Sequence, residues 1–138
     1  DVPVVFRQLS LLAAYHNDIL SIDRDVADNT PNIVLLLRAP GASIWDALKK
    51  AIAYVDDALV ALSALVDNPD LDPVVRDVLT RIALGTYGWG ISEVRYEEGV
   101  KLLACIEANK REEFNSIIDK KYVAAAGEMD TTATTTTF

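Results

Sequence analysis

The stretch from Ile44 to Val66 reads IWDALKKAIAYVDDALVALSALV. Its apolar positions Ile44, Leu48, Ile52, Val55, Leu59, Leu62 and Val66 recur every three or four residues. That period places them on one face of an α-helix. Ser43 stands just before the run as an N-cap, with Asp46 three residues on as a capping-box partner. This is the clearest amphipathic helix in the chain and sets the expected fold class, all-α.

The flanking segments agree. Upstream, Phe6, Leu9, Leu12, Ala13, Ile19, Leu20 and Ile22 follow helical spacing, which predicts one long helix over about 4–27. Pro3 suits its first turn, and Asp28-Asn29-Thr30-Pro31 ends it. The five apolar residues Ile33 to Leu37 suit a buried strand or a short buried helix; helix is expected, since a single strand would have no partner. Pro40-Gly41 marks a turn. Downstream, Asp72-Pro73 gives an N-cap followed by proline at the first helical position. A helix runs from there towards Gly85, where glycines 85, 88 and 90 interrupt the pattern. A last helix is expected over about 97–109, either ending there or continuing to about Ala126. Residues 1–126 thus read as one helical domain, and 127–138 as a low-complexity Thr-rich tail, an end or a linker.

Composition excludes several function classes. Net charge is −8 over 138 residues, and no basic face is visible, so nucleic acid is not an expected partner. No apolar run reaches the roughly 18–20 residues that span a bilayer. The single cysteine, Cys105, rules out an internal disulfide framework. It reads as a small buried residue in a reducing compartment, and the expected location is the cytoplasm. The chain starts at Asp1 rather than Met, so the expectation is that the natural start is missing, disordered or cleaved.

Two short segments carry chemistry. In the first, Asn17, Ser21 and Asp25 fall at i, i+4 and i+8, drifting only about 40° per step around the helix. They offer an amide oxygen, a hydroxyl and a carboxylate, the hard oxygen donors that Mg²⁺ takes. One carboxylate makes a weak site until substrate phosphates add ligands. Ile19, Leu20 and Ile22 flank this stripe, so it faces a cavity or, on the plainer reading, forms a solvated polar face. In the second, Arg95 and Tyr96 pair a planar fork of donors with a phenol, a combination suited to phosphate oxygens. Trp89 offers a π-face that attracts a cation. Taken alone, that segment reads first as ordinary packing.

The two segments together resemble class I terpene synthases. Asn17-Asp18-Ile19-Leu20-Ser21 with Asp25 is similar to the (N/D)DxxSxxxE magnesium motif, with Asp at the Glu position and Arg24 just before it. Gly85, Trp89, Arg95 and Tyr96 are similar to a GNxxWxxxxxRY segment, with Thr86 where Asn is usual. The resemblance covers about residues 3–96. It implies the C-terminal helices of the class I terpenoid synthase bundle, and an Mg²⁺-dependent carbon–oxygen lyase acting on a prenyl diphosphate, farnesyl or geranylgeranyl diphosphate being expected. It implies Asn17, Ser21 and Asp25 as ligands of one of three metal ions, and Arg24, Arg95 and Tyr96 as diphosphate contacts. Arg95, Tyr96 and Trp89 are the implied catalytic residues.

The resemblance also implies an aspartate-rich motif on an earlier helix. Here only Asp56-Asp57-Ala58-Leu59-Val60 is similar, in the wrong order, and it reads as a solvated face. The expected partner is therefore an N-terminal segment or a complementary chain that carries this motif; a homodimer is a further possibility. Without that part the chain is expected to be inactive. Two other readings stay open: a prenyl-chain-elongating synthase, which normally shows two DDxxD motifs, and a non-enzymatic helical interaction module. His16 and Trp45 read as structural residues. Lys49-Lys50 and Lys110-Arg111-Glu112-Glu113 read as solvated faces, and Lys120-Lys121-Tyr122 offers charge alone.

Overall fold

The computed structural model describes residues 2–132, with side chains over 4–121. Seven α-helices and one 3₁₀ turn make up the described fold, and no strand occurs among the described residues. The helices are α1 (Val2–Leu20), α2 (Ile22–Ala27), α3 (Ile33–Leu36), α4 (Ile44–Val66), α5 (Pro73–Ser92), α6 (Glu97–Glu107) and α7 (Arg111–Thr132). The 3₁₀ turn, Val94–Tyr96, joins α5 to α6. The chain is all-α.

α4 forms the spine. Its first turn is held as the sequence predicts. The Asp46 amide donates to Ser43 Oγ at 3.2 Å, and the Ser43 hydroxyl donates to the Asp46 carboxylate at 2.6 Å. One face of α4, with Ala47, Leu48, Ala51 and Val55, packs along α1. Leu12, Ile19, Ile22 and Val26 from α1 and α2 join it, with Val34 from α3, Leu102 and Cys105 from α6, and Phe114 and Ile118 from α7. Trp45 meets Phe114 edge-on, with ring centroids 5.2 Å apart, which ties the start of α4 to α7. Burying one such side chain contributes roughly 1.5–3 kcal/mol. α7 runs along α2 and α6, α3 sits on α1 and α4, and α5 crosses α1.

Three boundaries differ from the sequence expectation. The helix expected over 4–27 is divided at Ser21 into α1 and α2. Ser21 has φ −96° and ψ 1°, although its amide still donates to Asn17 O and its carbonyl still accepts from the Asp25 amide. The division falls where α6 lies on the end of α1: a Cβ on Gly99 would overlap the Leu20 carbonyl.

α5 does not stop near Gly85 but continues through Gly85 and Gly88 to Ser92. Glycine costs roughly 1 kcal/mol in a helix; buried Leu79 and Gly90 dock α5 and offset that cost. Gly90 is where it comes closest, since a Cβ there would clash with His16 and the Leu20 side chain.

Of the two readings of the last segment, the one that ends near Asn109 holds, and a separate helix follows. Asn109 turns to φ +55°, the Lys110 amide donates to Cys105 O at 2.8 Å and the Asn109 amide to Ile106 O at 3.1 Å. This is a Schellman cap with Asn in the left-handed position. Asn29, φ +51°, ends α2 in the same way, with the Thr30 amide donating to Asp25 O. Finally, α7 runs to Thr132, past the boundary expected after Ala126; residues 133–138 lie outside the described residues.

Candidate functional site

The first segment lies across the α1–α2 junction. Asn17 is exposed on the last turn of α1, Ser21 is buried at the division, and Asp25 is half-buried on α2. The second segment arrives from the far end of α5. Glu93, extended at φ −78° and ψ 125°, ends that helix. The Tyr96 amide donates to Glu93 O at 2.9 Å and closes the 3₁₀ turn. This turn drives the Tyr96 ring inward, where it is wholly buried.

There the two segments meet. The Tyr96 hydroxyl donates to Asn17 Oδ1 at 2.6 Å, across 79 residues of sequence. The Arg95 guanidinium donates to the same hydroxyl and lies over two rings, 4.5 Å from the Tyr96 centroid and 5.0 Å from that of Trp89. Trp89 meets Tyr96 edge-on at 5.8 Å. Arg24 stands over the Tyr96 ring at 5.9 Å. Asn17, Arg24, Trp89, Arg95 and Tyr96 therefore share one locus. Each cation–ring contact contributes about 0.5–1 kcal/mol where exposed, so the stack orients both guanidinium groups at small cost.

Ser21 and Asp25 belong to a second network of hydrogen bonds. The Ser21 hydroxyl donates to Asp25 Oδ2 at 2.5 Å. Asn32 Nδ2 donates to the same oxygen at 2.8 Å and to the Asp18 carbonyl at 2.7 Å, while Asn32 Oδ1 accepts from the Val34 amide at 2.8 Å. Asn32 is thus buried with both its amide hydrogens and its oxygen satisfied. Asp18 Oδ2 accepts from the Ile33 amide at 2.7 Å, and Asp18 Oδ1 from Asn17 Nδ2 at 3.1 Å. A continuous chain of hydrogen bonds runs from Arg95 through Tyr96, Asn17 and Asp18 to the start of α3.

Asn32 is the residue that sequence reasoning missed, and Asp18, although part of the first motif, had no role of its own there. The signal for Asn32 was present: Asn directly before an apolar run is a favoured N-cap. Its bonds to Asp18 and Asp25 had none, since they join residues 14 and 7 apart. Thr86, at the position where the resemblance has Asn, donates to Ile82 O at 2.9 Å in its own helix.

The three side chains are oxygen donors of the type magnesium takes. Asn17 Oδ1 accepts one hydrogen bond and keeps a second lone pair. Ser21 Oγ donates its proton and keeps its lone pairs. Asp25 Oδ1 lies 3.9 Å from Arg24 Nε, beyond hydrogen-bonding distance. Among the described residues no group of three or more His, Cys, Asp or Glu side chains is placed to hold a metal. A site here therefore has one carboxylate and needs added anionic ligands to bind firmly.

Three neighbours complete the surroundings. His16 is buried between α1 and α5, stacked on Tyr87 at 5.1 Å, and its Nε2 has no hydrogen-bond partner. Burial holds its pKa below the usual histidine value. Buried Asp23 faces Lys121 of α7 at 3.6 Å; burial pushes its pKa up while Lys121 pulls against that. Lys121 is thus tied to α2. Asp56 and Asp57 are exposed on α4, and no described helix is long and apolar enough to cross a membrane. No family model, curated protein or solved structure matches the chain.

Proposed function

We propose that this chain is the C-terminal part of a Mg²⁺-dependent class I terpene synthase, a lyase that ionises a prenyl diphosphate and cyclises the resulting cation. One observation carries the reading: the hydroxyl of Tyr96 on Asn17 Oδ1 at 2.6 Å. It joins the stripe of oxygen donors to the arginine–tyrosine pair, two segments picked out separately for metal and diphosphate. In this reading Asn17, Ser21 and Asp25 hold one magnesium ion. When bound, the ion supplies Lewis-acid stabilisation of the diphosphate leaving group.

The chain's own residues do the rest. Arg24 and Arg95 flank Tyr96 and offer forked donors where negative charge grows on the departing diphosphate. The Tyr96 hydroxyl gives its one proton to Asn17 Oδ1 and accepts from Arg95, so in this reading it positions those two side chains and donates to the diphosphate only in exchange for Asn17. Trp89 is 49% exposed, so its outer surface is open to an allylic cation while its other contacts hold Arg95. The aspartate-rich motif and most of the hydrocarbon pocket belong, in this reading, to an N-terminal segment or a complementary chain. The prenyl length and the product depend on that part.

A second reading has its own support. Asp25 Oδ2 is satisfied by Ser21 and Asn32, and both Asp18 oxygens are satisfied by Ile33 and Asn17. A polar cluster so complete also suits a helical interaction module in which the stripe only pins α3 to α1.

Thermal melting separates the two. The enzyme reading predicts that Mg²⁺ with inorganic pyrophosphate raises the melting temperature, that neither does so alone, and that Asp25→Asn and Arg95→Gln each abolish the rise. Equal melting under all conditions favours the module.

A further inference from the structure

We propose that Asn32 is a positioning residue for the metal site: its side-chain amide holds Asp25 so that one carboxylate oxygen, Oδ1, is left for a magnesium ion. The role rests on the reading of Asn17, Ser21 and Asp25 as ligands of that ion, and it gives a task to a residue outside both segments that suggested the site. The two oxygens of Asp25 are used unequally. Oδ2 accepts from Ser21 Oγ at 2.5 Å and from Asn32 Nδ2 at 2.8 Å. Two donors occupy both lone pairs of that oxygen, and bonds to an ionised acceptor are the stronger kind. Oδ1 accepts no hydrogen bond among the described residues, and Arg24 Nε stands 3.9 Å from it. A cation approaching this carboxylate finds open electron pairs on Oδ1 alone.

Asn32 is built to hold that orientation. It is 2% exposed and lies in extended backbone, φ −142° and ψ 135°, just before α3. Its second amide hydrogen goes to the Asp18 carbonyl at 2.7 Å, and its Oδ1 accepts from the Val34 amide at 2.8 Å. A flipped amide would set Oδ1 against two acceptor oxygens and Nδ2 against a donor, so one orientation alone is allowed. A carboxylate turns easily about its last torsion, where the wells are broad. Asn32 and Ser21 together remove that freedom from Asp25 before any ion arrives. Metal ligands oriented by hydrogen bonds from a fixed outer residue are a common device. Ser21 is itself one of the three donors; Asn32 is the support from outside the stripe.

Asn32 therefore has two separable jobs. Its oxygen caps α3, and its nitrogen holds Asp25. Serine caps a helix as well as asparagine does but carries no amide to reach Asp25. Asn32→Ser thus keeps the first job and loses the second. The support also matches the short arm of Asp25. Asp25→Glu adds a methylene and moves the carboxylate off both donors. It should weaken binding even though glutamate stands at this position in the motif that the segment resembles.

The test is isothermal titration of inorganic pyrophosphate into the full 138-residue chain at saturating Mg²⁺, with helicity checked by circular dichroism. Asn32→Ser should bind at least about tenfold more weakly than the wild type, and Asp25→Glu should bind more weakly too. The second readout is the infrared difference spectrum, on adding Mg²⁺ and pyrophosphate, of the chain with ¹³C-labelled aspartate carboxyls. The wild type should show one perturbed carboxylate that is absent from Asp25→Asn. Its antisymmetric–symmetric splitting should not narrow, as it does when both oxygens chelate one ion; in Asn32→Ser at saturation it should narrow. The wild-type band decides the matter if Asn32→Ser fails to fold. Binding that Asn32→Ser or Asp25→Glu leaves undiminished, or a narrowed band in the wild type, overturns the role of Asn32 and leaves the magnesium reading standing. A wild-type chain that binds no pyrophosphate with Mg²⁺ removes the magnesium reading, and the role of Asn32 goes with it.

Discussion

The region from Asn17 to Val34 and the region from Val74 to Tyr96 handle their surfaces in opposite ways. The first is closed. Ser21 and Asn32 satisfy Asp25, Ile33 and Asn17 satisfy Asp18, and buried Asn32 uses both its side-chain amide hydrogens and its side-chain oxygen. The second is open. It carries exposed valines, Ile82, Leu84 and Trp89, and its Arg95 makes its contacts with rings and a phenol rather than a carboxylate. Closed polar clusters specify geometry; open apolar stripes and cations facing rings wait for something else. Tyr96 joins the two regions. Substitutions on either side should therefore differ in kind as well as size.

The largest effect is expected on the closed side. Asn32→Ala removes the cap of α3 and leaves the buried oxygen of Asp25 short of a donor. It should cost about 2–4 kcal/mol in urea unfolding, from a cap of about 1 and an unsatisfied group of about 1–3. A loss below about 0.5 kcal/mol would mean that the cluster is not what holds α3. Gly90→Val comes next, at the crossing of the two regions, where any Cβ meets His16 and Leu20. Forcing the helices apart should cost about 1–3 kcal/mol. Gly85→Ala and Gly88→Ala, with open space around both, should instead stabilise α5 by up to about 1 kcal/mol each. Stabilisation at all three glycines would contradict the close crossing.

A pH effect of intermediate size follows from His16. Its folded pKa lies below the ordinary value because burial disfavours the charged form. The unfolded chain therefore binds the extra proton first. Stability is full above about pH 6.5 and falls as pH drops through that value. His16→Phe should flatten the profile between about pH 7 and 5. An unchanged slope would move the titrating group elsewhere. The smallest effect belongs to the open side: Ile82→Ser should change stability by less than about 0.5 kcal/mol in dilute solution, since its exposed side chain has little to lose.

What could be read from the sequence was local. The period of α4, the Ser43–Asp46 cap and the Asp72-Pro73 start each involve residues within one or two turns, and the structure reproduces all three. The misplaced ends had non-local causes. α5 passes Gly85 and Gly88 because α1 supports it through Gly90, and no window of residues 73–92 contains that support. At Asn109 both readings stood open, since the division there lacks the glycine or proline that usually marks one. The halves of the candidate site were each visible as residue types at helical spacing. Their meeting depends on the angle at which α5 crosses α1 and on the 3₁₀ turn that swings Tyr96 inward. Asn32 escaped notice because its partners are set by the loop that brings it back to α1.

The central claim is that the Arg95–Tyr96–Asn17 locus binds magnesium and diphosphate together. Phosphorus NMR of inorganic pyrophosphate in the presence of the chain tests it most directly. The account predicts that the signal broadens or shifts only when Mg²⁺ is present, and that Arg95→Gln and Asp25→Asn each restore the sharp signal. A spectrum that the wild-type chain leaves unchanged with Mg²⁺, or perturbs equally with and without Asp25 and Arg95, would contradict it.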